Sequence, residues 1–383
     1  MKVGRGPLVW TTALLAGWLI LSGCGQGPAA SASLQPAKPG SASASGSSDW
    51  ETVVAAGKRE GKVAIIGPVG DAVSNILVDP FQKQYGITVD FIALPGNAAT
   101  ARINQERSAS QYNLDILIAG SAGSLDSLIP NKALDSIDSA LILPEVKDPK
   151  NWRGGALPVL GPNHEILSMT PYQRGTLFYN KNLVKAEEIK SYKDLLNPKW
   201  KDKLQSDDPR RPGPGQATFT FFYLHPDLGG DFIRALAKQN ITMQNDYQQE
   251  IDIVGQGRAP LMIGGVDRLA EARIKQGAPI GIVEPGKIKE GTDVSAAAGN
   301  VSVFNKAPHP NAAKVYVNWL LTNATQEAYA RTNDLVSSRA DVNGDWTEPW
   351  RLPAPGAIQT DGEAAQAVIR DKLVPLLKEA FPT

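Results

Sequence analysis

Two arginines set in a turn of glycines and prolines are the sharpest chemical feature of the chain, Asp208-Pro-Arg210-Arg211-Pro-Gly213-Pro-Gly215-Gln216-Ala217. A helix is expected to open directly behind them. Unpaired N–H groups and the positive end of the helix dipole then make an anion site. Arg210 and Arg211 would add bidentate contacts to a carboxylate or phosphonate. The competing reading is a solvated loop whose glycines serve only the turn. Tyr172-Gln-Arg174-Gly offers a second arginine, which either grips an anion or pairs with a carboxylate of the chain itself. In Gly264-Gly265-Val-Asp267-Arg268 a strand should end and a helix start, so Gly265 permits close approach to the backbone and Asp267 suits an N-cap.

Other spacings fail the chemistry they suggest. Gly213-Pro-Gly215 continues to Thr218 instead of a third glycine, so the dinucleotide signature is weak. His164-Glu165 is followed at position 168 by serine, which removes the second histidine of a zinc-protease helix. His225 and His309 stand singly in proline-containing turns and read as structural. Gly120-Ser121-Ala122-Gly-Ser124 lacks the glycine two residues before a nucleophilic serine. Asp115 and Asp208 have no nominated partner. No catalytic constellation and no cofactor motif emerges.

Thirty-nine basic side chains balance thirty-nine acidic ones, which removes the electrostatic case for nucleic acid. The lone cysteine, Cys24, excludes a disulfide framework and a cysteine zinc site. It follows a basic start (Lys2, Arg5) and a short apolar run, Leu8 to Leu21, and Leu21-Ser-Gly-Cys24 resembles a bacterial lipoprotein lipobox. That resemblance implies a signal peptide over 1–23 and a lipid on Cys24. Residues 24–48, almost wholly Gly, Pro, Ala and Ser after the cysteine, read as a flexible tether. Without Lys2, Arg5 and Lys38 the remaining body, 49–383, is three charges negative.

The elements that must position these residues alternate. Asp49 reads as an N-cap for a helix ending near Gly57 or Gly61. Strands are expected at 62–67, 87–92 and 115–119, with helices after each, the one containing Pro80 kinked or shortened. Such βαβ units imply a parallel sheet with ligands at the strands' carboxyl ends. The loops Gly67-Pro-Val69-Gly70-Asp71, 94–97 and 119–124 therefore matter. A second α/β region has strands at 174–179, 203–206, 260–264 and 280–284 with helices at 217–224, 231–239 and 268–276. Pro310 opens a helix whose Ala312, Val315, Tyr316, Trp319 and Leu320 share one face.

Phe178-Tyr-Asn-Lys-Asn-Leu183, Ser191-Tyr-Lys-Asp-Leu-Leu-Asn-Pro-Lys-Trp-Lys201, Ser206-Asp-Asp-Pro209 and Ala307-Pro-His-Pro-Asn-Ala-Ala313 resemble the bacterial extracellular solute-binding proteins of ABC importers. The group meant is that of ferric-iron, thiamine, polyamine and phosphonate binders. The resemblance covers essentially all of 49–383. It implies an α/β fold of periplasmic-binding-protein type II, in which two lobes are joined by two hinge crossings and close on a solute. Lobe one would be 49–170 plus 300–383, lobe two 171–299, and the crossings 174–179 and 301–304. Gly67, Val69, Gly70, Asp71, Ser121, Ala122 and Ser124 would face the solute from lobe one. Tyr172, Arg174, Arg210, Arg211, Gly213, Gly215, Gln216, Gly265 and Asp267 would face it from the hinge and lobe two. The implied protein is a monomer outside the cytoplasm, lipid-anchored through Cys24 on the periplasmic face or on a Gram-positive surface, with a permease as partner. The solute expected is a small organic anion. Ferric binders of this group carry adjacent tyrosines where Val266 and Asp267 stand here, so bare iron would need an atypical site. A sensor or scaffold without transport, and a hydrolase, are the readings from other classes.

Overall fold

Val63-Ala-Ile-Ile66 is a wholly buried apolar run, and such a run is stable only in the middle of a layered sheet. The structure, a computed structural model, describes residues 44–296, 299–354 and 356–382. The signal peptide, Cys24 and most of the tether lie outside them. The opening helix spans Ala44–Glu60, so its start precedes Asp49 and takes in the end of the expected tether. It stops at Gly61, whose φ of 77° suits glycine. Gly57 lets it lie directly on the later helix Pro310–Leu320, because a Cβ there would sit 3.1 Å from the Ala312 Cα.

The first sheet contains β1 (Lys62–Gly67), β2 (Thr88–Ala93), β3 (Ile116–Ala119), β4 (Leu134–Asp135), β5 (Val159–Leu160) and β6 (Ile166–Ser168), joined from far along the chain by β14 (Asn300–Phe304). Its order is β2-β1-β3-β14-β6-β5, with β4 on β14; β1, β2 and β3 run parallel and β14 antiparallel to both neighbours. Helix Asp71–Tyr85 runs through Pro80 without ending, holding Leu77 and Phe81 fully buried on the same face. Phe81 packs at 4.8 Å on Tyr316 and 5.2 Å on Trp319. All five residues expected on the inner face of Pro310–Leu320 are buried.

Asp115 and His309 have structural roles. The Asp115 carboxylate accepts the Ala64 N–H (2.7 Å) and the His309 N–H (2.7 Å) and bonds the His309 ring (2.9 Å), clamping β1, β3 and the start of Pro310–Leu320 together. Burial raises its pKa, against those hydrogen bonds.

The second sheet holds β8 (Leu177–Asn180), β9 (Leu204–Asp207), β10 (Thr242–Gln244), β11 (Leu261–Ile263) and β12 (Ile280–Ile282), ordered β10-β9-β11-β8-β12. Between the sheets, β7 (Tyr172–Gln173) pairs antiparallel with β13 (Val294–Ser295). Here the chain crosses between the sheets twice. The expected crossings, 174–179 and 301–304, fall largely inside the sheets, because the true crossing strands are two residues long and carry no alternation for a periodicity argument. A later segment runs beside them, with Val294 N donating to Ile358 O (2.9 Å) and Thr360 N to Val294 O (3.1 Å). It returns the chain to the second lobe: Leu373, Leu377 and Phe381 are buried in the second core with Phe219, Phe222 and Ile233. The C-terminal helices therefore do not pack with the rest of 300–383 in the first core.

Candidate functional site

The cleft lies where the β7–β13 ribbon meets the open ends of both sheets, and it has two compartments. The first, about 220 Å³, is lined by Tyr172, Arg174, Gly213, Gly265, Asp267 and Arg268 on one side and by Tyr329, Asn333 and Leu335 on the other. The second, about 150 Å³, is lined by Ser121, Ala122, Gln216, Thr360, Asp361 and Gln366. Gly213, Ala217 and Ser295 border both.

The turn at 208–216 is built as expected but serves a different end. Pro214 is the first helical residue, and helix Pro214–Leu224 opens behind it. Asp207, at the end of β9, accepts the Gly215 N–H (2.7 Å), so its own carboxylate takes the place expected for an exogenous anion. Gly215 is glycine for packing, since a Cβ would collide with the Asp207 carbonyl. Arg211 pairs with Asp207 at 3.1 Å. Arg210 pairs with Asp208 at 2.7 Å and donates to the Phe381 carbonyl (2.7 Å). That contact holds Asp208 below the usual carboxylate range. Neither arginine lines the cleft, and neither does Gly215.

Arg174 does line it, buried and committed. Its guanidinium is 3.0 Å from Asp293, whose same oxygen accepts the Thr360 hydroxyl (2.9 Å). Burial works against the charge on Arg174, but Asp293, Tyr172 and Asp267 outweigh it and its pKa rises. Arg174 is thus paired within the chain while it lines the first compartment.

Asp267 is not the N-cap of helix Asp267–Lys275; Val266 holds that position. The Asp267 carboxylate meets Arg351 (3.1 Å), the Gly175 N–H (3.3 Å) and the Tyr172 hydroxyl (3.4 Å). Burial, then the Asp267 charge, pushes the Tyr172 phenol well up. The glycine pair serves close packing rather than an open approach. Gly264, at φ 70°, would put a Cβ 2.6 Å from the Gly215 Cα, and Gly265 would meet the Phe178 ring at 2.8 Å.

From the first lobe, Ser121 and Ala122 reach the second compartment, and the Ser121 hydroxyl donates to the Asp361 carbonyl (2.7 Å). Ser124 is buried and lines neither compartment. Gly67 closes β1 against the Phe91 ring, while Val69, Gly70 and Asp71 are exposed and stand outside both compartments.

Arg268 was legible next to Asp267 but not singled out. It is exposed, projects into the first compartment and contacts Asn333 Oδ1 at 3.3 Å, across from the other lobe. Among the described residues no carboxylate pairs with it, in contrast to Arg174, Arg210 and Arg211. Asp361, Thr360 and Gln366 carried no sequence signal at all. Among the described residues there is no cluster of three His, Cys, Asp or Glu side chains arranged to hold a metal ion.

A family model described as bacterial extracellular solute-binding protein matches residues 77–354. Solved structures share the architecture at low identity. The periplasmic binding protein AfuA from Actinobacillus pleuropneumoniae, with fructose-6-phosphate bound, is 18% identical over 83% of this chain and 98% of its own, with a TM-score of 0.62. Iron-bound HitA from Pseudomonas aeruginosa is 16% identical over 84% and 99%, with a TM-score of 0.63. The ferric binding protein from Campylobacter jejuni is 16% identical over 83% and 99%, also at 0.63. These likenesses establish the two-lobed type II fold.

Proposed function

This chain belongs to the bacterial extracellular solute-binding proteins, and we propose that it is the extracytoplasmic receptor of an ABC importer, closing its lobes on a small organic anion. The observation that carries the anion reading is Arg268, a guanidinium in the first compartment with no carboxylate partner among the described residues. It stands at the start of helix Asp267–Lys275, where the helix dipole also favours negative charge. Its contact to Asn333 ties the two lobes, so a bound anion would be felt on both sides of the hinge. Tyr172, Gly213 and Gly265 complete the wall. Arg174, Arg210 and Arg211 act as supports, their charges already balanced within the chain. Loaded and closed, the receptor would present its solute to a permease, with a lipid on Cys24 and the tether holding it at the membrane as a monomer. Among the described residues no helix is long and apolar enough to cross a membrane.

A thermal-shift panel tests the reading: phosphonates, dicarboxylates, aromatic acids, sugar phosphates, polyamines, thiamine, and ferric iron with and without carbonate. A ligand at 100 times its Kd stabilises the native state by about 2.7 kcal/mol, which a melt resolves. An organic anion should stabilise the chain, and Arg268→Gln should weaken that anion at least ten-fold without lowering the ligand-free Tm. Stabilisation by ferric iron alone, or an anion effect indifferent to Arg268→Gln, would overturn the assignment.

A further inference from the structure

The polar side chains that line the first compartment beside Arg268 are spent within the chain. The Tyr172 hydroxyl donates to Asp267 (3.4 Å), which also accepts from Arg351 (3.1 Å) and the Gly175 N–H (3.3 Å). Arg174 is held by Asp293 (3.0 Å), and the Ser295 hydroxyl donates to Asp361 (3.3 Å). Asn333 donates its Nδ2 to the Tyr329 carbonyl (2.8 Å) and accepts Arg268 Nη1 on its Oδ1 (3.3 Å). Tyr329 is 1% exposed, and burial raises its pKa, so it is a neutral wall. A guanidinium carries five N–H donors, and the Asn333 contact uses one of them. The others suit an acid group.

Much of the remaining wall is apolar. Pro214, Ala217 and Val266 line the compartment from the second lobe and Leu335 from the first. A hydroxyl pressed against them gives up its water and finds no partner, which lowers affinity about ten-fold or more. A methylene in the same place raises it about four-fold. Space is sufficient: an apolar protein cavity of about 150 Å³ holds benzene, and this compartment measures about 220 Å³. The charge balance allows one acid group. Arg174 is matched by Asp293 and Arg351 by Asp267, and no basic side chain is among the described residues lining the second compartment.

We propose that the solute is a monocarboxylate with a compact apolar body, its carboxylate on Arg268 and its carbon skeleton against Pro214, Ala217, Val266 and Leu335. The inference rests on the cleft being the solute site and on Arg268 as its anion contact. It adds a selection by the walls, against hydroxylated and doubly charged anions.

A series of simple acids tests this selection. The full chain, ¹⁵N-labelled, is titrated at matched ionic strength with propionate, butyrate, pentanoate and benzoate, and with glycerate, succinate and glycerol 3-phosphate, reading the amide signals of Gly265 and Asn333. Affinity should rise about four-fold per methylene from propionate to pentanoate. Glycerate, succinate and glycerol 3-phosphate should each bind about ten-fold or more weakly than pentanoate. Leu335→Ala should weaken benzoate several-fold and leave propionate nearly unchanged, its ligand-free melt serving as the check on folding. Affinity flat along the series, a polar or doubly charged anion as tight as pentanoate, or equal losses of propionate and benzoate in Leu335→Ala would each overturn the apolar wall. These outcomes leave the anion reading in place as long as Arg268→Gln weakens every anion that binds. Anions indifferent to Arg268→Gln, or no saturable binding of any of them, would overturn that reading and this one together.

Discussion

At the scale of single residues, the distribution of charge partners separates support from recognition. Arg210 and Arg211 stand two and four residues after the aspartates that bind them, a local pairing that the sequence reading passed over when it gave both arginines to an outside anion. Arg174 and Asp293 are 119 positions apart, and only the fold brings them together. Beneath the same turn lies Glu250, fully buried, with neither carboxylate oxygen accepting a hydrogen bond. Burial, and after it the charge of Asp207, lifts its pKa from 4.5 to about 8. The sign of the effect follows from that direction. Below pH 4.5 the folded and unfolded chains both carry the proton. As pH rises toward 8 the unfolded chain releases it while the folded one retains it, and stability falls by about 1.4 kcal/mol per unit. Glu250→Gln removes this loss. Its Tm should match the native chain near pH 4.5 and exceed it by several degrees at pH 8; equal Tm values at both would contradict the buried neutral acid.

Among the elements, the long periodic ones were readable and the short ones were not. β1, β2 and β3, and the helix from Pro310, follow from apolar runs and a one-sided stripe, and each is found within a residue or two of its expected place. The crossings β7 and β13 are two residues each, below the length at which alternation means anything. The helix Val374–Ala380 was not read in the sequence, and its apolar side chains alone would suit either core. It lies in the second core, where Leu377 is fully buried. Leu377→Ala should therefore cost about 2–5 kcal/mol of unfolding free energy. A loss under 1 kcal/mol in a denaturant titration would contradict this packing.

For the whole molecule, the separation into two sheets with a ribbon between them sets what the cleft can do. The first compartment takes Arg268 from one lobe and Asn333 from the other; the second takes Ser121 from one and Gln216 from the other. On the proposed function, a solute touching both sides would draw them together, because hinge closure adds contacts that the open form lacks. This much followed from the alternating pattern and the family resemblance. The lining from 329–335 and 360–366 did not: the first comes from the end of helix Asn323–Thr332, and the second reaches the cleft through the late return of the chain beside β13. The most direct measurement is small-angle X-ray scattering of the chain with and without the solute found by the thermal-shift panel. The account predicts a smaller radius of gyration with solute, and no contraction with that solute in Arg268→Gln at a concentration saturating only the native chain. A solute that stabilises the fold and leaves the radius of gyration unchanged would contradict capture between the lobes.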